Sequence, residues 1–307
     1  MSKSHLHTAF KAGRLKEFVN VWKKYTSDKH ILQTVKGLKI KFIDFPPTQH
    51  YIPHAIRLNE TERNAIENEI TRLLDIGVLQ VSSHEPGEFI STIFTRVKKD
   101  GTHRMILNLA KLNEFVEYHH FKMETLEHAI TLVTKNCYLA SIDLKDAYYS
   151  VNIANEDRKF LKFIWNDVIY QFNVLPNGLT SGPREFTKLL KPPFSYLRRK
   201  GHTILGYIDD TLLLSPDKTS CQTAISDTVT VLKELGFIVH PKKSILEPVQ
   251  KLSFLGFIID SMAMTVRPTS EKCNDIQVLC SHLLKRELPK IQEVASVVGK
   301  LVAALPG

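Results

Sequence analysis

The chain has 307 residues, 43% of them hydrophobic and 24% charged, and a formal net charge of +9. This length suits one large unit or two to three smaller subdomains, and the balance excludes a disordered or fibrous protein. No apolar run approaches the roughly 18–20 residues of a membrane span, the N-terminus lacks the apolar core of a secretory signal, and the positive charge favours a polyanion such as nucleic acid without requiring one. Cys137, Cys221, Cys273 and Cys280 form no C-x-x-C pair. Neither a zinc site nor a disulfide framework is indicated, and reduced thiols in an intracellular setting are expected.

Residues 1–30 are basic, and Leu15, Phe18, Val19 and Trp22 fit one helical face. That helix is either an ordinary surface element or a nucleic-acid contact. "DFPPTQHYIP" (44–53) reads as an extended linker. "NETERNAIENEITRLLDIG" (59–77) reads as a helix, with Asn59 as N-cap, Glu60 and Glu62 in the first turn, and Gly77 as the stop. Residues 90–109 predict two strands around Asp100-Gly101, a turn bracketed by Lys98, Lys99, His103 and Arg104. An apolar strand runs into Asp143, a hairpin is centred on Asn166-Asp167, and "SGPREFTKLL" (181–190) opens a helix with Pro183 near its start. Gly206 to Leu214 is either a strand pair or one strand broken at its aspartates. Residues 221–236 predict a helix through Ile225, Val229 and Leu232, and residues 251–260 a strand. Two amphipathic helices fill 271–305, the second with Ile291, Val294, Val298 and Leu301 on one face. The order is that of an α+β protein rather than a doubly wound parallel sheet.

Asp143 ends one apolar strand and Asp209-Asp210 interrupts another. If the strands are neighbours, three carboxylates converge and repel one another unless divalent cations occupy the site. Oxygen ligands select hard ions, so Mg²⁺ is the natural choice, with Mn²⁺ as a substitute, and two such ions suit an in-line phosphoryl displacement. Successive strand side chains point to opposite faces, which ranks Asp209 above Asp210 unless the backbone turns between them. An exposed turn with two solvated acids is the other reading.

Six segments in order resemble the polymerase domain of reverse transcriptases. "KKDGTHRMILNLAKLN" (98–113) is similar to the fingers hairpin, and "IDLKDAYYSV" (142–151) to the first palm carboxylate motif. "YQFNVLPNGLTSGPREF" (170–186) is similar to the template- and nucleotide-side motif. "YIDD" (207–210) resembles the second carboxylate motif, "LGFIVHPKKS" (235–244) the lysine motif, and "LSFLGFIID" (252–260) the primer grip. The flanks, "AGRLKEFVNVWKKYTSDKHILQTVKGLKIKF" (12–42) and "VASVVGKLVAALP" (294–306), resemble the borders of this domain in DIRS-type retrotransposons.

The resemblance implies an α+β right-hand polymerase that copies an RNA or DNA template from a primer using dNTPs. Its palm would be an antiparallel sheet with packed helices. Residues 1–50 would be a basic extension and linker, 51–135 the fingers, 136–260 the palm with a fingers insertion near 155–175, and 261–307 part of a helical thumb. Asp143, Asp209 and Asp210 would hold two Mg²⁺ ions, with the Leu144 carbonyl as a further ligand. Lys98 and Arg104 would meet the triphosphate, and the backbone at Lys145, Asp146 and Ala147 would approach the phosphates. Tyr148 would be a steric gate against the ribose 2′-OH, with a core role as its other reading. Asn177 and Gly178 would sit beside the sugar. Lys243, or failing it Lys242, would be a general acid near the leaving pyrophosphate, and Phe254, Leu255, Gly256 and Phe257 would position the primer end. Asn177 stands where many relatives have Gln, and Asn108 and Ala110 where an Asp and an Arg are common. No RNase H acidic cluster follows before Gly307, and a truncated, non-catalytic nucleic-acid-binding derivative of the fold is the alternative.

Overall fold

The computed structural model describes residues 10–54, 56–97 and 101–306. In chain order the elements are α1 (Val19–Trp22), α2 (Lys29–Lys36), α3 (Glu60–Asp75), β1 (Leu79–Ser82), β2 (Ile90–Ser91), β3 (Ile93–Val97), β4 (His103–Leu107), α4 (Ala110–Asn113), α5 (Leu126–Leu132) and β5 (Tyr138–Asp143). There follow β6 (Lys162–Trp165), β7 (Val168–Phe172), α6 (Gly182–Arg199), β8 (Thr203–Tyr207), β9 (Asp210–Ser215) and α7 (Lys218–Glu234). The last are β10 (Ile245–Val249), β11 (Lys251–Phe254), β12 (Phe257–Asp260), β13 (Thr265–Pro268), α8 (Ser270–Leu284) and α9 (Ile291–Val302). Two compact units result. The first comprises Met1–Phe121, Leu144–Pro193 and Val231–Ile238; the second comprises Lys122–Asp143, Phe194–Thr230 and Val239–Gly307. The stretch expected to form a palm, 136–260, is therefore shared between them. Among the described residues no helix is long and apolar enough to cross a membrane.

In the first unit, α3 begins at a reciprocal cap. The Glu62 backbone N–H donates to Asn59 Oδ1 and the Asn59 N–H donates to Glu62 Oε2, both at 2.9 Å. Ile66, Ile70 and Leu73 recur at helical spacing and are buried, and Gly77 ends the segment at φ 78°. A four-stranded sheet runs β1-β7-β6-β2. β6 and β7 form a hairpin whose loop residues, Asn166 and Asp167, take φ of 47° and 61°, the left-handed pair of a type I′ turn. β3 and β4 pair antiparallel from Ile93↔Leu107 to Val97↔His103, while the expected tip at Lys98, Lys99 and Asp100 lies outside the described residues. The N-terminal stretch, expected as a basic extension, is part of this unit's core: Leu15, Trp22 and Val35 are fully buried.

In the second unit, an antiparallel sheet runs β10-β5-β9-β8. Gly206 to Leu214 is thus a strand pair. β9 is buried from Thr211 to Ser215, which explains why its sequence is a continuous apolar run rather than an alternation. Leu126 and Ala129 of α5 join Leu139, Leu205, Leu212 and Leu214 in one cluster with Leu252, Phe254, Phe257 and Ile259. Residues 251–260 are two strands, not one. Leu255 and Gly256, at φ 49° and 80°, turn the chain between β11 and β12, and β13 completes a three-stranded sheet. The apolar face expected on α9 is not a core face: Ile291, Val294, Val298 and Leu301 are exposed and Val297 is the buried residue.

The outer strand β8 is held on its free side by an Arg–Glu pair. Glu124 Oε2 accepts the Gly206 backbone N–H at 2.6 Å, Arg198 donates to the Ile204 carbonyl at 2.6 Å, and the two side chains meet at 2.5 Å. Gly206 also admits the Phe194 ring, since a Cβ there would lie 2.2 Å from Phe194 Cε2.

Candidate active site

The second unit brings the three carboxylates to one end of its sheet. Asp143 is the last residue of β5 and Asp210 the first of β9, and they are register partners. Tyr207 of β8 lies opposite Asp210, so Ile208 and Asp209 form a two-residue connection. The backbone does turn between Asp209 and Asp210, which removes the objection that their side chains must diverge. The turn places Ile208 at φ 56°, a conformation that costs a branched residue about 1–2 kcal/mol. Such strain persists where surrounding structure imposes it; here the β8–β9 pairing does so on both sides.

Burial pushes the Asp210 carboxyl up to about 6, with Asp209 and Asp143 adding repulsion and Lys243 opposing it. Burial also raises Asp143, against which Lys243 and His240 act downward and Asp209 upward. Lys243 Nζ lies 3.7 Å from Asp143 Oδ2, with its side chain 65% exposed, so the ion pair is weak and its lysine free to move. The segment carrying that lysine is tied to Asp143. The His240 N–H donates to the Asp143 carbonyl at 2.8 Å, and the Asp143 N–H donates to Ser244 Oγ at 3.0 Å.

Among the described residues no three His, Cys, Asp or Glu side chains are gathered closely enough to hold an ion unaided. The donor chemistry nevertheless fits Mg²⁺. The carboxylates are self-repelling, the cation paired with Asp143 is an exposed lysine, and Mg²⁺ is commonly held by one or two carboxylates with the remaining positions filled by water and substrate phosphate.

Other expected site residues lie in the first unit. Arg104 is exposed on β4, directly opposite Arg96, and Lys98 falls outside the described residues. Lys145 is exposed and its N–H donates to the Ile238 carbonyl at 2.8 Å, while Asp146 takes φ 49°. Leu144 and Ala147 are buried. Tyr148 is half-buried, its ring 5.2 Å from that of Phe186. The adjacent Tyr149 is pushed up to about 12, chiefly by burial, and hydrogen-bonds the Asn177 side chain. Gly178, at φ 97°, offers its carbonyl to Asn113 Nδ2 at 2.8 Å, and Asn113 Oδ1 accepts the Thr180 N–H at 2.9 Å. Asn113 thus clamps the loop that carries Asn177 and Gly178.

The expected primer-grip residues divide. Phe254 and Phe257 are buried core residues of the second unit. Lys272 Nζ lies over the Phe257 ring at 3.7 Å from its centroid. The turn at Leu255 and Gly256 is what the hairpin presents. Sequence reasoning missed Ser244, His240, Asn113 and Glu124. Their roles are backbone contacts to residues distant in the chain, for which a single sequence carries no periodic signal.

The profile of the family described as reverse transcriptase (RNA-dependent DNA polymerase) matches residues 96–259. The Transposon Tf2-3 polyprotein of Schizosaccharomyces pombe (strain 972 / ATCC 24843) is 22% identical over 254 residues, which cover 81% of this chain and 18% of the polyprotein. The Gag-Pol polyprotein of avian reticuloendotheliosis virus is 27% identical over 211 residues, 64% of this chain and 18% of that protein. The chain thus spans less than a fifth of the length of these relatives. Among solved structures, the foamy viral protease-reverse transcriptase in complex with dsDNA matches with a TM-score of 0.69 at 21% identity, covering 94% of this chain and 61% of that one. The same viral protein with an RNA/DNA hybrid matches at 0.63 and 20% identity, covering 93% and 39%. The fold is the α+β fold of these polymerases.

Proposed function

The chain belongs to the reverse transcriptase (RNA-dependent DNA polymerase) family, whose profile spans more than half of it, and we propose that it transfers nucleotides from dNTPs to a primer 3′-OH along an RNA or DNA template. The opposition of Asp143 and Asp210, with Asp209 in the adjoining turn, carries the reading. Asp143, Asp209 and Asp210 would hold two Mg²⁺ ions, or Mn²⁺ in their place, with the Leu144 carbonyl as a further ligand. When bound, these ions neutralise charge on the reacting phosphate and lower the pKa of an attacking hydroxyl.

The remaining roles follow from the family's motifs. Lys243, whose Nζ lies 3.7 Å from Asp143 Oδ2, supplies a proton to the leaving pyrophosphate, with Lys242 as the fallback. Lys98 and Arg104 bind the triphosphate, and the backbone from Lys145 to Ala147 lines its path. Tyr148 excludes the ribose 2′-OH, while Asn177 and Gly178 flank the sugar. The primer end rests on the Leu255-Gly256 turn, for which Phe254 and Phe257 are the buried footing. The fingers, palm and partial thumb follow the ranges read from the sequence. The free cysteines suit an intracellular setting. Within the family, the segments at 12–42 and 294–306 favour DIRS-type retrotransposons; a tyrosine recombinase frame beside the gene of origin checks this.

The test is primer extension on an RNA template with Mg²⁺ or Mn²⁺ and each dNTP. Template-dependent extension by the wild-type chain, lost in Asp143→Asn and Asp210→Asn, is expected. Primer–template binding without extension under any metal assigns the alternative, a non-catalytic nucleic-acid-binding derivative.

A further inference from the structure

The N-terminal segment of the first unit reaches the expected sugar-gate residue through a chain of packed rings. Trp22 is fully buried and meets Phe237 edge-on, with ring centroids 6.1 Å apart and an interplanar angle of 71°. Phe237 in turn meets Phe186 at 6.1 Å and 79°, and Phe186 meets Tyr148 at 5.2 Å and 46°. Aromatic pairs favour edge-on or offset geometries by about 0.5–1.5 kcal/mol beyond their buried area, so each contact biases the mutual orientation of its two rings. Phe186 and Phe237 are 1% and 2% exposed, so neither can rotate away into solvent.

Polar contacts hold the chain beside the two middle rings, Phe237 and Phe186, to the same N-terminal segment. Trp22 Nε1–H donates to the Leu235 carbonyl at 3.0 Å, and the Tyr25 hydroxyl donates to Glu234 Oε2 at 2.9 Å. Gly236, at φ 96°, leaves room for the Phe18 ring, where a Cβ would come within 2.6 Å. On the other side, His30 Nε2 lies 2.6 Å from Glu185 Oε2, and Glu185, which directly precedes Phe186, also receives Arg184 at 2.5 Å. Residues 18–30 therefore brace Phe186 twice: through the ring of Phe237 and through the side chain of its neighbour.

We infer that the N-terminal segment is a positioning element for Tyr148, and that Trp22 and Phe237 set ribose discrimination from a distance through Phe186. The inference rests on the reading of Tyr148 as the sugar gate. A gate discriminates by steric overlap, so its selectivity depends on how little the ring can yield. Rings packed behind it supply that resistance; loosening them lets an added hydroxyl push Tyr148 aside. Neither Trp22 nor Phe237 is asked to touch substrate.

The experiment compares kcat/KM for a matched rNTP and dNTP in the full chain. Phe237→Leu and Trp22→Phe keep an apolar side chain and are chosen to fold; the second also removes the Nε1–H donor to the Leu235 carbonyl. Each should raise the rNTP/dNTP ratio roughly tenfold, below the 10²-fold penalty of a 1 Å misplacement, with dNTP use little changed. Ile66→Val, at a fully buried site of the same unit outside the ring stack, should leave the ratio at its wild-type value. Unmoved ratios in both ring variants, with a moved ratio in Tyr148→Val, overturn the inference. An equal rise in Ile66→Val also overturns it, because general loosening then suffices. An unmoved ratio in Tyr148→Val instead removes the sugar-gate reading itself.

Discussion

Asp143 and Asp210 are direct partners across β5 and β9, one closing its strand and the other opening its neighbour. Two acids in that relation, with Asp209 in the adjoining turn, destabilise the metal-free protein. Burial and like charge hold Asp210 at about 6 rather than 3.8. Removing that carboxylate should therefore stabilise the protein while abolishing its chemistry, the exchange expected of a strained functional site. Asp210→Asn should raise metal-free stability by roughly 1 kcal/mol, after discounting the shift for partial exposure, as read by thermal melting. Mg²⁺ should raise the melting temperature of the wild type and not of this variant.

Each of Asp143→Asn, Asp209→Asn and Asp210→Asn should lower primer extension by roughly 10²–10³-fold or more, the scale of losing a preorganised electrostatic contact. Primer–template affinity, read by fluorescence anisotropy, should stay near wild type. Full extension by Asp209→Asn would take Asp209 out of the metal set.

Lys243→Ala should reduce kcat by roughly 10²-fold, the lower range for general acid catalysis, with little change in primer–template binding. Lys242→Ala, exposed one residue earlier, should be close to wild type. If single-turnover rates of the two variants are interchanged, the proton donor is Lys242.

Gly206→Ala drives a methyl into the Phe194 ring, and overpacking of this kind costs typically 1–3 kcal/mol. Because β8 delivers the turn that carries Asp209, extension should fall with stability. The double variant Gly206→Ala/Phe194→Leu should recover part of both. Equal melting temperatures of Gly206→Ala and wild type would show that the ring has somewhere else to go.

Primer–template binding should weaken as salt rises, with a log–log slope set by the number of phosphates neutralised, as the net charge of +9 leads one to expect. Arg104→Ala should raise the dNTP KM more than the duplex Kd. Binding that is indifferent to salt would deny the electrostatic contribution.

Local chemistry made much of this architecture legible. Asn59 and Glu62 announce α3 because a cap is a contact between near neighbours, and Asn166-Asp167 announces a hairpin because both residues tolerate positive φ. The carboxylates stood out because acids inside apolar strands need an explanation. The 251–260 hairpin was hidden because Leu255, an apolar residue, takes one of its two left-handed positions. The burial of Phe254 and Phe257 is not legible in the sequence, because motif position does not reveal which side chains of a hairpin face its core. The exposed face of α9 followed helical periodicity faithfully, yet periodicity gives a face and not what covers it.

The turn that carries Asp209 hangs from β8, the outermost strand of its sheet. An outermost strand is where a foreign β-segment can add itself, and such addition turns single molecules into fibres. Glu124 and Arg198 already occupy the Gly206 donor and the Ile204 acceptor that an incoming strand would need. One ion pair therefore closes this edge to strand addition at those two positions, so that a second copy meets side chains instead of a free donor and acceptor beside the turn that carries Asp209.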